Sequence, residues 1–278
     1  MKDGKLVQIS EVEQGQNCGC VCPSCGRPLL ARKGDIKIHH FAHLNNVECI
    51  GATETALHMK AKEIIEKYKT LRIPRVTATD EATDESPDHF ILHEAQKITC
   101  DKVYLEKRLD DFVPDIIIES SGKQLIVEIA VTHFINSEKL NKINNQNISV
   151  LEIDLSKFDR QVTTDDLLTE IYEDTNNKKW IYNSKREAVV RKFRKLHRKL
   201  QIFHKNTDSV LCPLKAQENS KGKFVTIDKC NQCKYCCGLE DNLEPDREHI
   251  ICVGHDKRQY EEIFEKYKIS QKKNSNML

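Results

Sequence analysis

Cysteines crowd the two ends of this 278-residue chain and leave its middle almost bare. Eleven of the twelve lie either between Cys18 and Cys49 or between Cys212 and Cys252, often two or three residues apart. The first residues contain no apolar stretch of the kind that an export signal needs, so we expect a cytoplasmic protein with reduced thiols. Thiols at such spacings are typical of metal ligands, which predicts a small metal-binding module at each end of the chain.

The overall composition is that of a globular protein without a membrane span. The chain carries 44 Lys and Arg against 43 Asp and Glu, a net charge of +1, and 38% of its residues are hydrophobic. A chain of this length can bury one medium core and one or two small ones. We therefore predict a Cys/His module at residues 1–52, a core at 53–160, a basic helical segment at 161–206 and a Cys-rich module with a polar tail at 207–278.

The N-terminal group contains the pair Cys22-x2-Cys25, whose proline and following glycine favour a turn with both sulfurs on one side. Tetrahedral zinc needs two further ligands, and His40 and His43 are the predicted completion. A hairpin between them and the cysteines would bring the imidazoles back to the sulfurs. Cys49 competes for either histidine position, and unliganded thiols are the alternative.

The C-terminal group offers more thiolates than one zinc ion requires. Cys212, Cys230, Cys233 and Cys252 follow the spacing of a zinc ribbon, which is the preferred interpretation. The triple spacing Cys230, Cys233 and Cys236 with one remote cysteine also fits an iron–sulfur cluster. Few apolar residues surround these cysteines, so the module is expected to need a metal in order to fold.

Hydrophobic periodicity predicts an α/β fold in the middle of the chain, together with two strands for the C-terminal ribbon. A glycine turn between two of the middle strands indicates a hairpin, and a polar helix indicates a crossover, so the sheet is predicted to be mixed. The predicted helices are Thr53–Lys69 and Ser137–Asn145, the middle strands are Lys97–Leu105, Val113–Glu119, Gln124–Thr132 and Ile148–Leu155, and the ribbon strands are Phe224–Ile227 and Ile250–Val253.

Two of the apolar middle strands carry isolated acids, Asp115 and Glu128. A carboxylate among Ile and Val loses its hydration, and it persists only when it is paired, protonated or bound to a cation. Taken singly, Asp115 can cap a strand and Glu128 can pair with a lysine such as Lys102. Taken together across a hairpin, the two acids can converge on one divalent cation.

This region resembles a known nuclease pattern and, more closely, one protein family. Asp115 after a proline, separated by twelve residues from Glu128, is the PD-x(12)-E arrangement of the PD-(D/E)XK nucleases. The order of Cys-x2-Cys, the His-His-Phe-Ala-His stretch and these strands, over roughly 18–156, resembles the CoiA-like competence proteins. The resemblance implies a restriction-endonuclease-like mixed sheet with helices, flanked by small metal-binding modules. It also implies cleavage or processing of DNA with Mg²⁺ or Mn²⁺.

One departure from the nuclease motif is that its lysine, two residues after the Glu, is Ala130 here. That lysine stabilises charge that develops during cleavage, so its loss either disables catalysis or requires another cation. Lys139, Lys142 and His133 are the candidates, and Lys139 is preferred.

Two further residues are candidates for the same site. His58 lies one helical turn after Glu54 on the helix before the sheet, where RecB-type nucleases place a metal-binding histidine. Glu106 follows the first predicted strand and is a further possible acid. The alternatives are an exposed helix histidine and an ordinary surface glutamate.

The segment Lys185–Lys205 holds nine Lys and Arg and one Glu, with apolar residues stepping by three and four. This pattern predicts a basic amphipathic helix that binds the phosphate backbone of DNA through Arg191, Arg194 and Arg198. A solvated helix face is the alternative.

These observations support two hypotheses about function. The first is a divalent-metal-dependent deoxyribonuclease with zinc-stabilised modules, acting on single- or double-stranded DNA in uptake, recombination or defence. The second is a catalytically inactive, zinc-dependent nucleic-acid-binding or adaptor protein, which Ala130 favours. An iron–sulfur redox or sensor protein is a third reading, based on the C-terminal cysteines alone.

Overall fold

The structure, a computed structural model, forms two compact units. One unit comprises Met1–Pro74 and Ala95–Tyr182, and the other comprises Arg75–Glu94 and Asn183–Leu278. The residues that the structure describes are 1–44, 49, 51–79, 90–110, 112–135, 140, 142, 146–158, 162–204, 207–214, 223–240 and 248–272.

The described residues contain sixteen strands, most of them short. They are β1 Leu29–Arg32, β2 His40–His43, β3 Thr70–Ile73, β4 Val76–Ala78, β5 Phe90–His93, β6 Gln96–Thr99, β7 Lys102–Leu105, β8 Ile116–Ser120, β9 Lys123–Ala130, β10 Ser149–Asp154, β11 Lys178–Tyr182, β12 Arg198–Gln201, β13 Ser209–Cys212, β14 Lys223–Thr226, β15 Cys236–Glu240 and β16 His249–Cys252.

Five α-helices lie within the same described residues. They are α1 Ala52–Tyr68, α2 Thr164–Tyr172, α3 Ser184–Arg194, α4 Ile227–Asn231 and α5 Lys257–Lys272. The predicted crossover helix Ser137–Asn145, together with the candidate Lys139, lies outside the described residues, apart from a few isolated positions.

The first unit is built on a mixed five-stranded sheet in the order β11-β10-β9-β8-β7. Strands β8 and β9 form the predicted hairpin, whose two-residue turn has positive φ at both Ser121 and Gly122, the geometry that matches strand twist. Strands β9 and β10 are parallel and the other pairs are antiparallel, so the mixed α/β sheet is confirmed.

Helix α1 covers one face of this sheet, as its sequence pattern predicts. Its buried residues include Leu57, Ala61, Ile64 and Ile65, which join one core cluster with alternate residues of β8, β9 and β10. The helix ends where Lys69 adopts a left-handed conformation and its N–H bonds the Ile65 carbonyl. Helix α1 is therefore packed against the sheet along most of its length. This packing fixes the position of the polar side chains of α1 relative to the sheet.

The predicted first strand, Lys97–Leu105, is wrong as a single element. The chain breaks at Cys100 and Asp101, so that β6 pairs with β3 while β7 pairs with β8. The break is held by backbone bonds from Cys100 to Lys69 and from Asp101 to Glu119. The continuous apolar pattern is thus divided into two strands, because each half pairs with a different strand. The local periodicity of the sequence does not reveal such a division.

The predicted helix Lys185–Lys205 is also too long. Helix α3 ends at Arg194, and the chain then turns into β12, which pairs with β16. Phe193 stacks on Phe90, with ring centroids 5.2 Å apart, and this packing anchors the helical half of the pattern. Strand pairing with a distant segment overrides helical propensity in the second half.

The two strands predicted for a C-terminal zinc ribbon are present but do not pair with each other. Strand β14 pairs with β13, whereas β16 lies between β12 and β15 in a three-stranded sheet. The ribbon interpretation is therefore wrong in its strand pairing, and the cysteines of this unit belong to two separate sheets and the turns beside them.

Candidate active site and metal centre

A cleft of about 340 Å³ opens where Asp115 leads into β8, beside β9, β10 and the start of α1. Carboxylates and imidazoles are prominent in its wall. The lining residues are Glu54, Thr55, His58, Asp115, Glu128, Ile129, Ala130, His133, Phe134, Ile135 and Glu152. The structure thus brings together four residues predicted from the sequence, namely Asp115, Glu128, His58 and His133.

Asp115 is held in the cleft by three groups. Its Oδ2 lies 2.9 Å from His58 Nε2 and accepts a 2.9 Å hydrogen bond from the Ile129 N–H, while Oδ1 lies 3.4 Å from Lys62 Nζ. Burial alone would raise the pKa of Asp115, but the hydrogen bonds from His58 and Ile129 and the charges of His58 and Lys62 hold it well below its usual range. Asp115 is therefore an ionised carboxylate.

Glu128 and Glu152 are register partners on the adjacent parallel strands β9 and β10. They are only 3% and 7% exposed, and both line the cleft. Glu152 accepts a 3.0 Å hydrogen bond from the Ile135 N–H. Two buried carboxylates side by side repel each other unless a proton or a cation lies between them.

Sequence reasoning missed Glu152, although a signal for it was present. It interrupts an apolar strand just as Glu128 does, with Leu151 and Ile153 on either side. The argument that a carboxylate in such a strand needs a cation applies equally to both residues. The structure adds that the two acids share one face of the sheet.

The rim of the cleft joins α1 to the segment after β9. His133 Nδ1 lies 3.2 Å from Glu54 Oε1 and 2.8 Å from the Thr132 hydroxyl. The hydrogen bond from Thr132, followed by that from His133, lowers the pKa of Glu54. Glu54 is thus an ionised acid, as Asp115 is, and it lies on the same face of α1 as His58.

Lys62 is a cation that sequence reasoning missed. It lies on α1 one turn after His58, is 7% exposed at its side chain, and contacts both Asp115 and Glu106. Its spacing, i+4 from His58 and i+8 from Glu54, is the signal that places all three on one helix face. The lysine preferred from the sequence, Lys139, lies outside the described residues, and Lys142 is not among the residues that line the cleft.

Glu106 is not part of the cleft. Its side chain is 69% exposed and binds Lys62 Nζ at 2.8 Å, which leaves it behind Lys62 rather than beside Glu128. The position after β7 points it toward α1. Its role is that of a partner for the lysine.

A second site lies in the N-terminal hairpin. One ligand atom each from Cys22, Cys25, His43 and Cys49 lie within 4.8 Å of one another. Cys25 Sγ lies 3.3 Å from His43 Nε2, and Cys22 Sγ lies 3.9 Å from Cys49 Sγ. Three sulfurs and one imidazole at this separation are a donor set for tetrahedral zinc.

The local backbone explains how these ligands converge. The Gly26 N–H bonds the Cys22 carbonyl with Gly26 at positive φ, which closes the turn between the first two cysteines. Strands β1 and β2 pair Leu29 with His43 and carry the imidazole back over that turn. A hydrogen bond from the backbone of Arg27 lowers the pKa of Cys25 to about 6, with His43 adding to the effect.

Of the predicted ligand pair His40 and His43, the structure brings only His43 to the three cysteines. His43 lies at the site, but His40 is three residues back at the start of β2, and its Nδ1 lies 2.8 Å from the Ile38 carbonyl. Alternation along the short strand and the arrival of Cys49 give the fourth position to the competing cysteine. The surplus thiols Cys18 and Cys20 are buried in the small core of this module.

The residues predicted to bind DNA fall on two elements. Arg191 and Arg194 are exposed on α3, as expected. Arg198 begins β12 instead of continuing the helix, and its guanidinium lies 3.1 Å from Asp256. Arg198 is therefore engaged in packing its own unit.

Comparison with known families gives one match. Residues 5–50, less than a fifth of the chain, match the family model described as "Competence protein CoiA, N-terminal domain". The matched segment contains Cys22, Cys25, His43 and Cys49. This similarity supports a CoiA-like competence protein.

The remaining comparisons add no relative. Neither the curated proteins nor the solved structures contain a match to this chain. Among the described helices, none is long and apolar enough to cross a membrane.

Proposed function

We propose that this chain is a divalent-metal-dependent nuclease that hydrolyses phosphodiester bonds in DNA. The observation that carries the proposal is the meeting of Asp115, Glu128 and Glu152 in one cleft beside His58. The match of the N-terminal module to a competence family supports a role in the handling of DNA during uptake. The cleft itself supports the reaction.

The donor set of the cleft fits a hard divalent cation. Carboxylate oxygens are the ligands preferred by Mg²⁺ and Mn²⁺, and the pair Glu128 and Glu152 needs positive charge between its members. Asp115, Glu128 and Glu152 would hold the ion, with His58 beside them. When bound, such an ion polarises the scissile phosphate and lowers the pKa of a water molecule.

The residues around the carboxylates prepare the site. The Ile129 N–H and His58 fix the orientation of Asp115, so its second oxygen stays near Lys62. Glu54 and His133, linked at 3.2 Å on the rim, can accept and return a proton at the imidazole. Phe134 and Ile135 add apolar surface to the wall of the cleft.

Lys62 takes the electrostatic place of the missing motif lysine, as a positioning residue. It lies behind Asp115 and is not among the residues that line the cleft, so it acts on Asp115 instead of touching the substrate. After the hydrogen bonds from His58 and Ile129 and the charge of His58, its charge adds to the effects that keep Asp115 ionised, and it balances the excess of acids. Ala130, at the motif position, leaves room at the cleft wall.

The basic helix α3 is proposed to bind the phosphate backbone. Arg191 and Arg194 are exposed on α3, whereas Val189, Val190 and Phe193 of the same helix are buried. Contacts of this kind give sequence-independent, salt-sensitive affinity.

The test is incubation of the purified chain with supercoiled plasmid and with circular single-stranded DNA, each with Mg²⁺, Mn²⁺ or a chelator. Cleavage that requires a divalent ion and is lost in Glu128→Gln supports the proposal. DNA binding without cleavage under every condition would favour the second candidate, an inactive binding or adaptor protein, which the Ala130 substitution supports.

A further inference from the structure

The cysteines of the second unit converge although they come from different elements. Cys230 lies near the end of the short helix α4, and Cys233 follows that helix. Cys236 is the first residue of β15, and Cys252 is the last residue of β16. Backbone bonds from Cys233 to the Cys230 carbonyl, and from Cys236 to the Cys233 carbonyl, coil the first three into consecutive turns. Cys236 is also the register partner of Cys252. The thiols of Cys230, Cys233, Cys236 and Cys252 therefore form one cluster in this unit.

The segment after Cys212 lies beside the same cluster. A side-chain carbon at Gly254 would lie 3.3 Å from both Cys252 Sγ and Pro213 Cγ. The side chain of Pro213 and the sulfur of Cys252 therefore both lie beside Gly254, which brings Cys212, the residue before Pro213, near this group of cysteines. The Gly254 N–H lies 3.3 Å from Cys252 Sγ, an arrangement that stabilises a thiolate.

Electrostatics agrees with this geometry. Burial, and then the charges of Cys236, Cys212, Cys252 and Cys233 in that order, together raise the pKa of Cys230 to about 12. Cys100, a buried cysteine of the first unit, owes its raised pKa to burial and to Asp101, with no thiol nearby. The other four cysteines thus lie close enough to Cys230 to influence its ionisation, whereas no thiol influences that of Cys100.

The separation of the sulfurs distinguishes the kind of metal. Zn–S bonds of about 2.3 Å place the sulfurs of a tetrahedral zinc site about 3.8 Å apart. Among the residues that the structure describes, three or more ligand atoms lie within 4.8 Å of one another only in the group of Cys22, Cys25, His43 and Cys49. The cysteines of the second unit surround a wider space than that group.

A wider ring of thiolates suits a polynuclear centre, because each thiolate of an iron–sulfur cluster binds a different iron. The spacing Cys-x2-Cys-x2-Cys, with a remote fourth cysteine, is that of ferredoxin-type ligands. We propose that Cys230, Cys233, Cys236 and Cys252 hold a [4Fe–4S] cluster, built from iron and inorganic sulfide, with Cys212 as an adjacent thiol that is not a ligand.

The experiment is metal and sulfide analysis of the full chain, purified without oxygen from cells supplied with iron. We expect about four iron and four acid-labile sulfide per chain, with one zinc at the N-terminal site and a broad visible absorption. Two zinc ions with no sulfide, or one zinc and no other metal, would overturn the proposal. This result does not depend on any variant.

Variants then test the ligands. Cys230→Ser and Cys252→Ser should lose iron and sulfide, while Cys212→Ser and the matched control Cys100→Ser should retain both. Zinc content reports whether the first unit remains folded in each preparation. Loss of the cluster in Cys212→Ser with retention in Cys252→Ser would overturn the assignment of Cys252. Because the readout is composition, the outcome is independent of nuclease activity.

Discussion

Lys62 Nζ lies 3.4 Å from Asp115 Oδ1, although the two residues belong to different elements far apart in the sequence. In the proposed nuclease site, Ala130 occupies the position at which the nuclease motif has a lysine. A cation on α1 thus stands beside the first acid of the motif. This ion pair connects helix α1 to Asp115, the carboxylate that leads into β8.

Removal of either motif acid should abolish cleavage. In Asp115→Asn and Glu128→Gln we expect the rate of plasmid nicking with Mg²⁺ or Mn²⁺ to fall by about 10³-fold, because the charge that holds the cation is lost. Glu119→Gln is the matched control, since Glu119 lies on β8 outside the cleft and pairs with Lys102. A nicking rate in Glu128→Gln equal to that of the unmutated chain would refute the metal site.

Replacement of Lys62 should separate turnover from substrate binding. In Lys62→Met we expect kcat to fall by about 10²-fold with KM nearly unchanged, because the lysine acts through Asp115 and not on DNA. Lys62→Arg should restore part of kcat. Lys60→Met is the control, because Lys60 pairs with Glu63 on the helix surface. Equal kcat in the two Met variants would remove Lys62 from the mechanism.

Zinc at the N-terminal site should depend on His43 and not on His40. His43→Ala should reduce the zinc bound there from one per chain to none, because the imidazole is the fourth ligand of the Cys₃His set. His40→Ala should keep its zinc, since His40 only contacts a backbone carbonyl. Elemental analysis of the two variants measures this difference, and zinc loss in both would return His40 to the ligand set.

Asp115 should stabilise the fold in a way that depends on pH. Its pKa is lowered on folding, so its contribution is fully present above the unfolded value of about 3.9 and is lost as pH falls through the folded value. We expect Asp115→Asn to lower the free energy of unfolding by about 1.5–3 kcal/mol at pH 7. The difference from the unmutated chain should shrink below about pH 4.

Urea unfolding of both chains in magnesium-free buffer, at pH 7 and near pH 3, measures this difference. Titrating groups that do not interact with Asp115 contribute equally to both chains and cancel, so the difference reports Asp115 with its partners His58 and Lys62. The burial cost of a carboxylate, considered by itself, predicts instead that removing Asp115 leaves folding intact or improved in the absence of metal. A difference that stays constant with pH would contradict the pairing with His58 and Lys62.

The basic face of α3 should set the salt dependence of DNA binding. In the double variant Arg191→Gln and Arg194→Gln we expect uniformly weaker binding across sequences, and a salt slope reduced by about two. Arg258→Gln is the control, because Arg258 is exposed in the same unit and lies on a different helix, α5, where it pairs with Glu262. DNA-binding titrations at several salt concentrations measure this slope. A slope equal to that of the unmutated chain would mean that the exposed face of α3 is only solvated.

Local patterns in the sequence were sufficient for several elements. Helix α1, the hairpin of β8 and β9, and the parallel β10 follow from helical spacing, a glycine turn and Ile- and Val-rich runs, all of which act over a few residues. The cost of a charge in an apolar strand likewise identified Asp115 and Glu128. The same cost applies to Glu152, which reasoning from motifs passed over.

Other features depend on which distant segments pair. The register of β1 with β2 brings His43, and not His40, to the turn of Cys22, and Cys49 is the remaining ligand. Helix α3 ends at Arg194 because the residues that follow form β12, which pairs with β16. Lys62 meets Asp115, and Glu128 meets Glu152, only through packing and strand register. Composition and spacing therefore identify the chemistry that the chain carries. Long-range pairing selects which residues share a site, because contacts between distant segments are set by the packing of the whole core and not by their neighbours in sequence.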